Sequence, residues 1–285
     1  MTTHLSDRAI LVQLNVSLWT ATKLDREISR EVAAAKGAVS GSGRYHKSLL
    51  PTCHLLTAIK QRATVIRTRF YENTLPWGIK GTQILPSRNY MEFATEFRKD
   101  KAEFDSLVSQ FVPEYPTLKA EAQQLLGASY KEADYPAADR IAEKFSMSMS
   151  VMPVPNTDFR VDIADEELQR IRQEVEAQVN HAAQEAMTDV WNRLFEKVSH
   201  LAAKLSDPSA VFRDTTVTHV LELCELLPRL NFADDPDLEE KRQAVEQMLA
   251  GHHPDTLRNN LDVRHDVATE AKEILDAMSA FMGAE

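Results

Sequence analysis

The first fifty residues contain two segments whose apolar positions follow different periods. Residues 12–18 alternate strictly between apolar and polar side chains, which is typical of a half-buried β-strand. The apolar positions that follow recur every fourth residue, at Leu24, Ile28 and Val32. This spacing predicts a helix, capped by a threonine among residues 20–22 and ending near Gly37. The sequence Gly-Ser-Gly at residues 41–43 indicates a flexible break.

A longer helix is predicted from Ser48, because one apolar stripe continues from there at helical spacing. Its members are Leu49, Leu50, Leu55, Leu56, Ile59, Ala63 and Ile66. Pro51 fits the first turn of this helix, where a missing N–H costs nothing. Two prolines and two glycines then forbid a continuous helix over residues 73–90. We expect a structured loop or a short hairpin in this segment.

Helical periodicity resumes at Met91 and is expected to stop at residues 113–116, Pro-Glu-Tyr-Pro, before it restarts. A second strand-like zone covers residues 147–151 and 159–163, on both sides of a Pro/Asn turn. Two strands are too few to be stable alone in water, so the strand at residues 12–18 is predicted to join them. This pairing makes residues 1–163 one basic-faced α+β unit with a small sheet.

The remainder of the chain, residues 164–285, is predicted to be an acidic helical bundle that begins with one helix of about 40 residues. The alternative is that both parts form a single globular body. The apolar seam of this helix recurs at a mean step of 3.7 residues, which does not indicate a left-handed coiled coil. Three acidic residues at 165–167 complement the positive end of its dipole. The predicted fold class is therefore α+β, mainly α, with a small antiparallel sheet plus helices, followed by a long helix and a helical bundle.

The composition is that of a globular protein. Hydrophobic residues make up 43 % of the 285 residues and charged residues 27 %, which excludes wholesale disorder. No run of about 18 apolar residues occurs, and the first residues lack a secretory pattern, so we expect no membrane association and a cytoplasmic location. Cys53 and Cys224 are isolated thiols, which fits a reducing compartment better than a disulfide or a zinc site.

Charge is distributed unevenly along the chain. Residues 1–101 carry 16 Lys+Arg against 8 Asp+Glu, whereas the rest carries 17 against 35. Between residues 36 and 91 there are nine basic residues and one acid, Glu72. Such an asymmetry indicates an anionic partner. The alternative is that the basic part docks on the acidic part of the same chain or of a neighbouring subunit.

No pattern of catalytic residues stands out. His252, His253 and the doublet His265-Asp266 resemble in composition the metal site of His-Asp hydrolases, but their spacing and the position of the later acid do not match it. His181 and Glu185 share a helix face, as many solvated pairs do. Motifs for nucleophilic catalysis or phosphate loops are not found either. We therefore expect a non-catalytic protein without a resident metal or cofactor.

The strongest functional signal is a stretch in which basic and aromatic residues alternate. Cations next to aromatic faces can follow a phosphate backbone and stack unpaired bases. The predicted nucleic-acid-binding residues are Lys60, Arg62, Arg67, Arg69, Trp77, Lys80, Arg88 and Tyr90. The competing interpretation is that Trp77 and Tyr90 hold the irregular loop on the helices, while the arginines meet the acidic bundle.

Four short sequences carry a resemblance to a known family: residues 14–19 (LNVSLW), 74–81 (TLPWGIKG), 84–91 (ILPSRNYM) and 152–161 (MPVPNTDFRV). Together they resemble an uncharacterised family of phage- and plasmid-encoded proteins. That family is found near genes for a MoxR-like AAA+ ATPase and a von Willebrand A-type partner. The resemblance covers about residues 10–165 and supplies no catalytic residues.

The resemblance implies an accessory protein of a mobile genetic element that acts in the cytoplasm of a bacterial host cell. With the charge pattern, it predicts nucleic-acid binding through the basic N-terminal face. The alternative is an adaptor or scaffold whose partner is the AAA+ ATPase or a second copy of this chain.

Overall fold

The computed structural model describes residues 4–156, 164–207 and 209–282. The fold is α+β and mainly α, which confirms the predicted class. The helices are α1 (Leu5–Arg8), α2 (Arg26–Ala35), α3 (His54–Glu72), α4 (Ser87–Leu126), α5 (Asp165–Ser206), α6 (Asp214–Leu230), α7 (Pro236–Leu249), α8 (Pro254–Asn259) and α9 (Leu261–Met282). The strands are β1 (Ala9–Ser17), β2 (Thr22–Asp25), β3 (Tyr45–Ser48), β4 (Leu75–Pro76), β5 (Thr82–Pro86) and β6 (Ser146–Pro153).

Four strands form one sheet in the order β4-β5-β1-β6. β1 and β5 are antiparallel, with Ala9 opposite Pro86, and β4 and β5 form the short hairpin expected within residues 73–90. The predicted strands near residues 12–18 and 147–151 are confirmed as β1 and β6, and they are neighbours in this sheet. The predicted strand at 159–163 lies outside the described residues.

The chain divides into two compact units that differ from the predicted division after residue 163. Unit 1 comprises residues 1–13, 70–94 and 150–285, and unit 2 comprises residues 14–69 and 95–149. The predicted boundary did not anticipate that the β4-β5 hairpin packs with the C-terminal helices. Leu75, Trp77 and Ile84 belong to the same hydrophobic core as the buried face of α5, which places the hairpin in unit 1.

The core of unit 1 is built around α5, which confirms the predicted long helix. The buried positions of α5 follow the predicted seam over its second half: Ala182, Ala186, Val190, Leu194, Val198, Leu201 and Leu205. They pack against buried residues of α6, α7 and α9. None of the helices in the described part of the chain combines the length and the apolarity that crossing a membrane requires.

The core of unit 2 contains the buried stripe of α3 and the aromatic face of α4. α4 continues through Pro113 and Pro116, so the predicted break at residues 113–116 is wrong. Phe111 and Tyr115 are fully buried on either side of Pro113, and the Tyr115 hydroxyl donates to the carbonyl oxygen of Pro136 at 2.8 Å. This packing stabilises the helix despite the two backbone N–H groups that the prolines lack.

The predicted starts of two helices, α2 and α3, also need correction. α2 begins at Arg26, and its cap is Asp25 instead of a threonine: the Asp25 carboxylate accepts from the backbone N–H groups of Glu27 and Ile28. Residues 22–25 belong to β2, which pairs with β3. α3 begins at His54, so Pro51 lies in the turn that precedes it. A carboxylate acceptor is at least as good a cap as a threonine hydroxyl.

Arg264 of α9 stabilises the end of α5 in unit 1. It is only 4 % exposed, and its guanidinium donates to the carbonyl oxygens of Lys204, Leu205 and Asp207 at 2.5, 2.9 and 2.5 Å. It also lies over the ring of Phe212 at 5.7 Å. The last carbonyls of a helix have no partner within the helix and form the negative end of its dipole. One cation therefore satisfies three acceptors.

We predict that Arg264→Met lowers the free energy of unfolding by about 3 kcal/mol, because three acceptors lose a charged donor while the aliphatic stem is kept. The measurement is urea denaturation followed by circular dichroism. The matched control is Arg170→Met, which removes an exposed arginine paired with Glu167 within α5 and should change stability by less than about 0.5 kcal/mol. Equal midpoints for wild type and Arg264→Met would contradict the capping role.

Candidate nucleic-acid interface

The predicted nucleic-acid-binding residues fall into both units. Four belong to unit 2, namely Lys60, Arg62, Arg67 and Arg69, and four belong to unit 1, namely Trp77, Lys80, Arg88 and Tyr90. The structure therefore does not gather the eight side chains within one compact unit.

In unit 2, Arg62 and Arg69 share one buried carboxylate. Asp100 of α4 is 2 % exposed, and its two oxygens accept from Arg62 Nη1 at 3.2 Å and Arg69 Nη1 at 2.5 Å. Glu103 forms a second ion pair with Arg62, and Glu96 lies 3.6 Å from Arg69. The two arginines are two helical turns apart on α3, so they reach the same neighbouring helix. Their charges are used to hold α3 and α4 together.

Two lysines of unit 2 are also bound internally. Lys60 donates to the carbonyl oxygen of Thr20 at 2.6 Å, and burial lowers the pKa of its amine. The buried Lys47 lies 2.9 Å from the Asp134 carboxylate and 3.7 Å from that of Asp25. By contrast, Arg67 forms no ion pair with any residue that the structure describes.

In unit 1, Trp77 is 3 % exposed and belongs to the hydrophobic core, so its ring is not exposed to solvent for stacking on a base. The hairpin turn buries the indole against α5, as the competing interpretation held. Tyr90 is half-buried. Lys80 is exposed and has no ion pair among the described residues.

Arg88 of unit 1 meets an acid of the C-terminal bundle. Its Nη2 lies 2.6 Å from Asp234 Oδ1, and Arg8 Nη1 lies 2.5 Å from Asp234 Oδ2. The hydrogen bond from Arg88, followed by that from Arg8, lowers the pKa of Asp234. Asp234 adopts a positive φ of 55°, which aspartate and asparagine tolerate better than most residues. The alternative that basic residues dock on acids of the same chain thus holds for Arg88.

A different set of arginines lines a groove in unit 2. Arg26 and Arg30 of α2 and Arg44 before β3 surround a cavity of about 460 Å³. The other lining residues are Leu24, Ser29, Ser40, Gly41 and Gly43. All three arginines are exposed, so their guanidinium groups are open to solvent. We call this site the arginine groove.

Local sequence explains how the arginine groove forms. Arg26 and Arg30 are four residues apart, which places them on one face of α2. The chain then turns back through Gly41, whose φ of 94° favours glycine, and returns as β3 beside β2. The Tyr45 N–H donates to Ser29 Oγ at 2.9 Å, so the end of the loop is attached to α2. Arg44 is thereby brought to the side of α2 that carries the other two arginines.

Two of the acids near the arginine groove, Asp25 and Glu27, have other partners. Asp25 caps α2 and lies near Lys47, and the hydrogen bond from the Ile28 amide lowers the pKa of the Asp25 carboxyl. Glu27 lies 3.9 Å from Lys131. Arg26, Arg30 and Arg44 have no carboxylate partner within the described part of the chain. Within that part of the chain, no ion pair neutralises the three guanidinium groups.

None of these three arginines was among the nucleic-acid-binding residues predicted from the sequence. Arg44 was counted in the basic stretch of residues 36–91 but was not assigned to the site. Arg26 and Arg30 precede residues 36–91, the stretch in which the basic bias was noted, and each has an acid as its next neighbour. The available signal was their four-residue spacing within a predicted helix, together with a glycine-rich break that ends at Arg44. The count of charges along the chain hides this arrangement because it ignores helix faces.

The residues considered for metal binding do not converge. No group of three or more metal-ligating side chains is found within residues 4–156, 164–207 and 209–282. His181 and Glu185 form an exposed pair at 3.5 Å, and the ring of His253 accepts from the Asp255 amide at the start of α8. Cys53 and Cys224 are buried free thiols, and burial raises the pKa of both.

Comparison with known proteins gave no match to a family model, a curated protein or a solved structure.

We predict that Asp100→Asn lowers the free energy of unfolding by about 2 kcal/mol, because Arg62 and Arg69 then face a neutral side chain. Urea denaturation measures the change. Asp105→Asn is the control, since it removes an exposed carboxylate that pairs with Lys101 on the same helix, and its effect should stay below about 0.5 kcal/mol. If the two variants are equally stable, the pairing of Arg62 and Arg69 with Asp100 does not hold α3 and α4 together.

The lowered pKa of Asp234 predicts a pH-dependent contribution to stability. An aspartate whose folded pKa lies below its unfolded value stabilises the fold above that unfolded value, and this contribution is lost as pH falls through the folded pKa. Asparagine tolerates the positive φ of residue 234 as well as aspartate does, so Asp234→Asn removes the charge without straining the backbone. This variant should be less stable than wild type at pH 7. The difference should shrink as pH falls below about 4, the ordinary range of aspartate. Thermal melts from pH 7 to pH 2 measure this, and a constant difference would argue against the Arg88–Asp234 pairing.

Proposed function

We propose that this protein binds nucleic acid through the arginine groove of unit 2. The observation that carries the proposal is the convergence of Arg26, Arg30 and Arg44 on one groove without a carboxylate partner among the described residues. Guanidinium groups donate several parallel hydrogen bonds to phosphate oxygens, and such contacts supply most of the affinity for a nucleic-acid backbone. The site differs from the one expected at residues 60–90, but the ligand class is the same.

The surroundings of the groove support a backbone ligand. Ser29, Ser40 and the glycine-rich turn add small polar groups and backbone that a phosphate can approach closely. Tyr45, next to Arg44, is 45 % exposed and offers a ring on which an unpaired base can stack. The combination favours a single strand over a duplex, because stacking on a side chain needs an unpaired base.

The charge of unit 2 fits a ligand bound mainly by electrostatic attraction. Its residues carry 17 Lys+Arg against 13 Asp+Glu, a net charge of +4, whereas the 16 Lys+Arg and 30 Asp+Glu of unit 1 give −14. Since only a few phosphates contact the groove, we propose modest, salt-dependent binding without a strong sequence preference. An accessory protein of a mobile element, as the resemblance implies, would meet such a ligand in its host.

The test is fluorescence anisotropy with short single-stranded and duplex probes over a range of salt concentrations. We predict tighter binding of the single strand by the wild-type protein, with affinity that falls as salt rises. The triple variant Arg26→Gln/Arg30→Gln/Arg44→Gln should weaken binding at least tenfold. The slope of log affinity against log salt concentration should fall in magnitude by about 2, because three phosphate contacts are lost.

The matched control is Arg98→Gln/Lys99→Gln/Lys144→Gln. It removes the same charge from exposed positions of unit 2 outside the groove, and it should retain most of the affinity. Binding that both triple variants weaken equally would indicate a general charge effect. If neither probe binds, the proposal fails, and the adaptor function becomes the remaining candidate.

A further inference from the structure

A second cation-lined cavity lies between α5 and α6, within unit 1. Its volume is about 420 Å³, within the range of small-molecule sites. The lining includes three cations and two histidines: Lys197, His200, Lys204, Arg213 and His219. The remaining lining residues are Val211, Thr215, Thr216 and Val220. We call this site the α5–α6 cavity.

The sequence places the cations of this cavity on facing elements. Lys197, His200 and Lys204 are separated by three and four residues, so they form one row along the last three turns of α5. Arg213 stands directly before α6, and its side chain makes no hydrogen bond to the first turn of that helix. The cavity therefore has basic side chains on one wall and an arginine with hydroxyl donors on the other.

Two acids next to this cavity, Asp207 and Asp214, are bound to other partners. Asp207 accepts from the amide and hydroxyl of Ser209, and Asp214 forms an ion pair with Arg258. Within the described residues, no carboxylate forms an ion pair with Lys197, Lys204 or Arg213. This is unusual for unit 1, whose net charge is −14 and where Arg242, for example, is paired with both Glu239 and Glu246.

We propose that the α5–α6 cavity binds a small molecule through a phosphate or diphosphate group. Three like charges around one cavity repel one another, and a multiply charged oxyanion relieves this repulsion while it accepts hydrogen bonds from each. The threonine hydroxyls and the positive end of α6 add donors on the second wall. Val211, which is 74 % exposed in the lining, can contact an organic group attached to the phosphate.

The charge of the surroundings separates this ligand from the nucleic acid proposed above. The arginine groove lies in unit 2, with a net charge of +4, whereas unit 1 has a net charge of −14, so a polynucleotide that extends beyond this cavity would meet an acidic unit. The inference does not depend on the arginine groove, which belongs to unit 2. Either proposal can therefore fail without the other.

The experiment is isothermal titration calorimetry of the full chain with inorganic diphosphate at constant ionic strength. We expect saturable binding of one diphosphate per chain. Lys197→Gln/Lys204→Gln/Arg213→Gln should weaken it more than a hundredfold, because each lost charged hydrogen bond costs about tenfold in affinity. The single variants Lys204→Gln and Arg213→Gln should each weaken binding about tenfold, and they keep the test decisive if the triple variant does not fold.

Two control variants distinguish a specific loss of diphosphate binding at this cavity from a general effect of removing positive charge. Lys80→Gln/Arg170→Gln/Lys272→Gln removes the same charge from exposed positions of unit 1 and should leave diphosphate binding within about twofold of wild type. The arginine-groove variant Arg26→Gln/Arg30→Gln/Arg44→Gln should also retain it. The proposal is overturned if no saturable binding is found, if the cavity variants bind as well as wild type, or if both unit 1 triple variants weaken binding equally.

Discussion

A cation that leaves water must find a carboxylate or several carbonyl oxygens, and this constraint decides where the basic residues of the chain are found. In unit 2, Arg62 and Arg69 meet at the buried Asp100, and Lys47 lies in a pocket with Asp134. In unit 1, Arg264 satisfies the last carbonyls of α5. These side chains are part of the framework, and their charge is not available to a ligand.

The same constraint makes the remaining cations informative. A guanidinium or ammonium group that faces solvent without a carboxylate has no structural task that the fold shows. Two sets of such groups share a cavity, one at Arg26, Arg30 and Arg44 and one at Lys197, Lys204 and Arg213. Their positive charge persists because nearby acids, such as Asp25 and Asp214, serve a helix cap or another ion pair. Both proposals rest on this distinction between neutralised and uncompensated charge.

Local patterns predicted much of the fold. Alternation located β1, and the apolar seam located α5 to within a residue or two, because period and burial are directly linked in long regular elements. Proline positions predicted helix ends less well, because α4 continues through two prolines where Phe111 and Tyr115 pack in the core. The division into units differs from the one predicted because the hairpin at residues 75–86 packs with α5, which begins nearly eighty residues further along the chain.

The sequence by itself determined the class of the fold, the long helix and the excess of basic residues in its first third, since each depends on composition or on short-range periodicity. Only the tertiary structure decided which of those basic residues retain their charge toward solvent. An ion pair such as Arg88–Asp234 joins residues far apart in the chain, and no local pattern encodes the partner. Apolar packing between residues far apart in the chain likewise buried Trp77, whereas Arg26 and Arg30 lie exposed at a groove outside the stretch in which charge counting had found the basic bias.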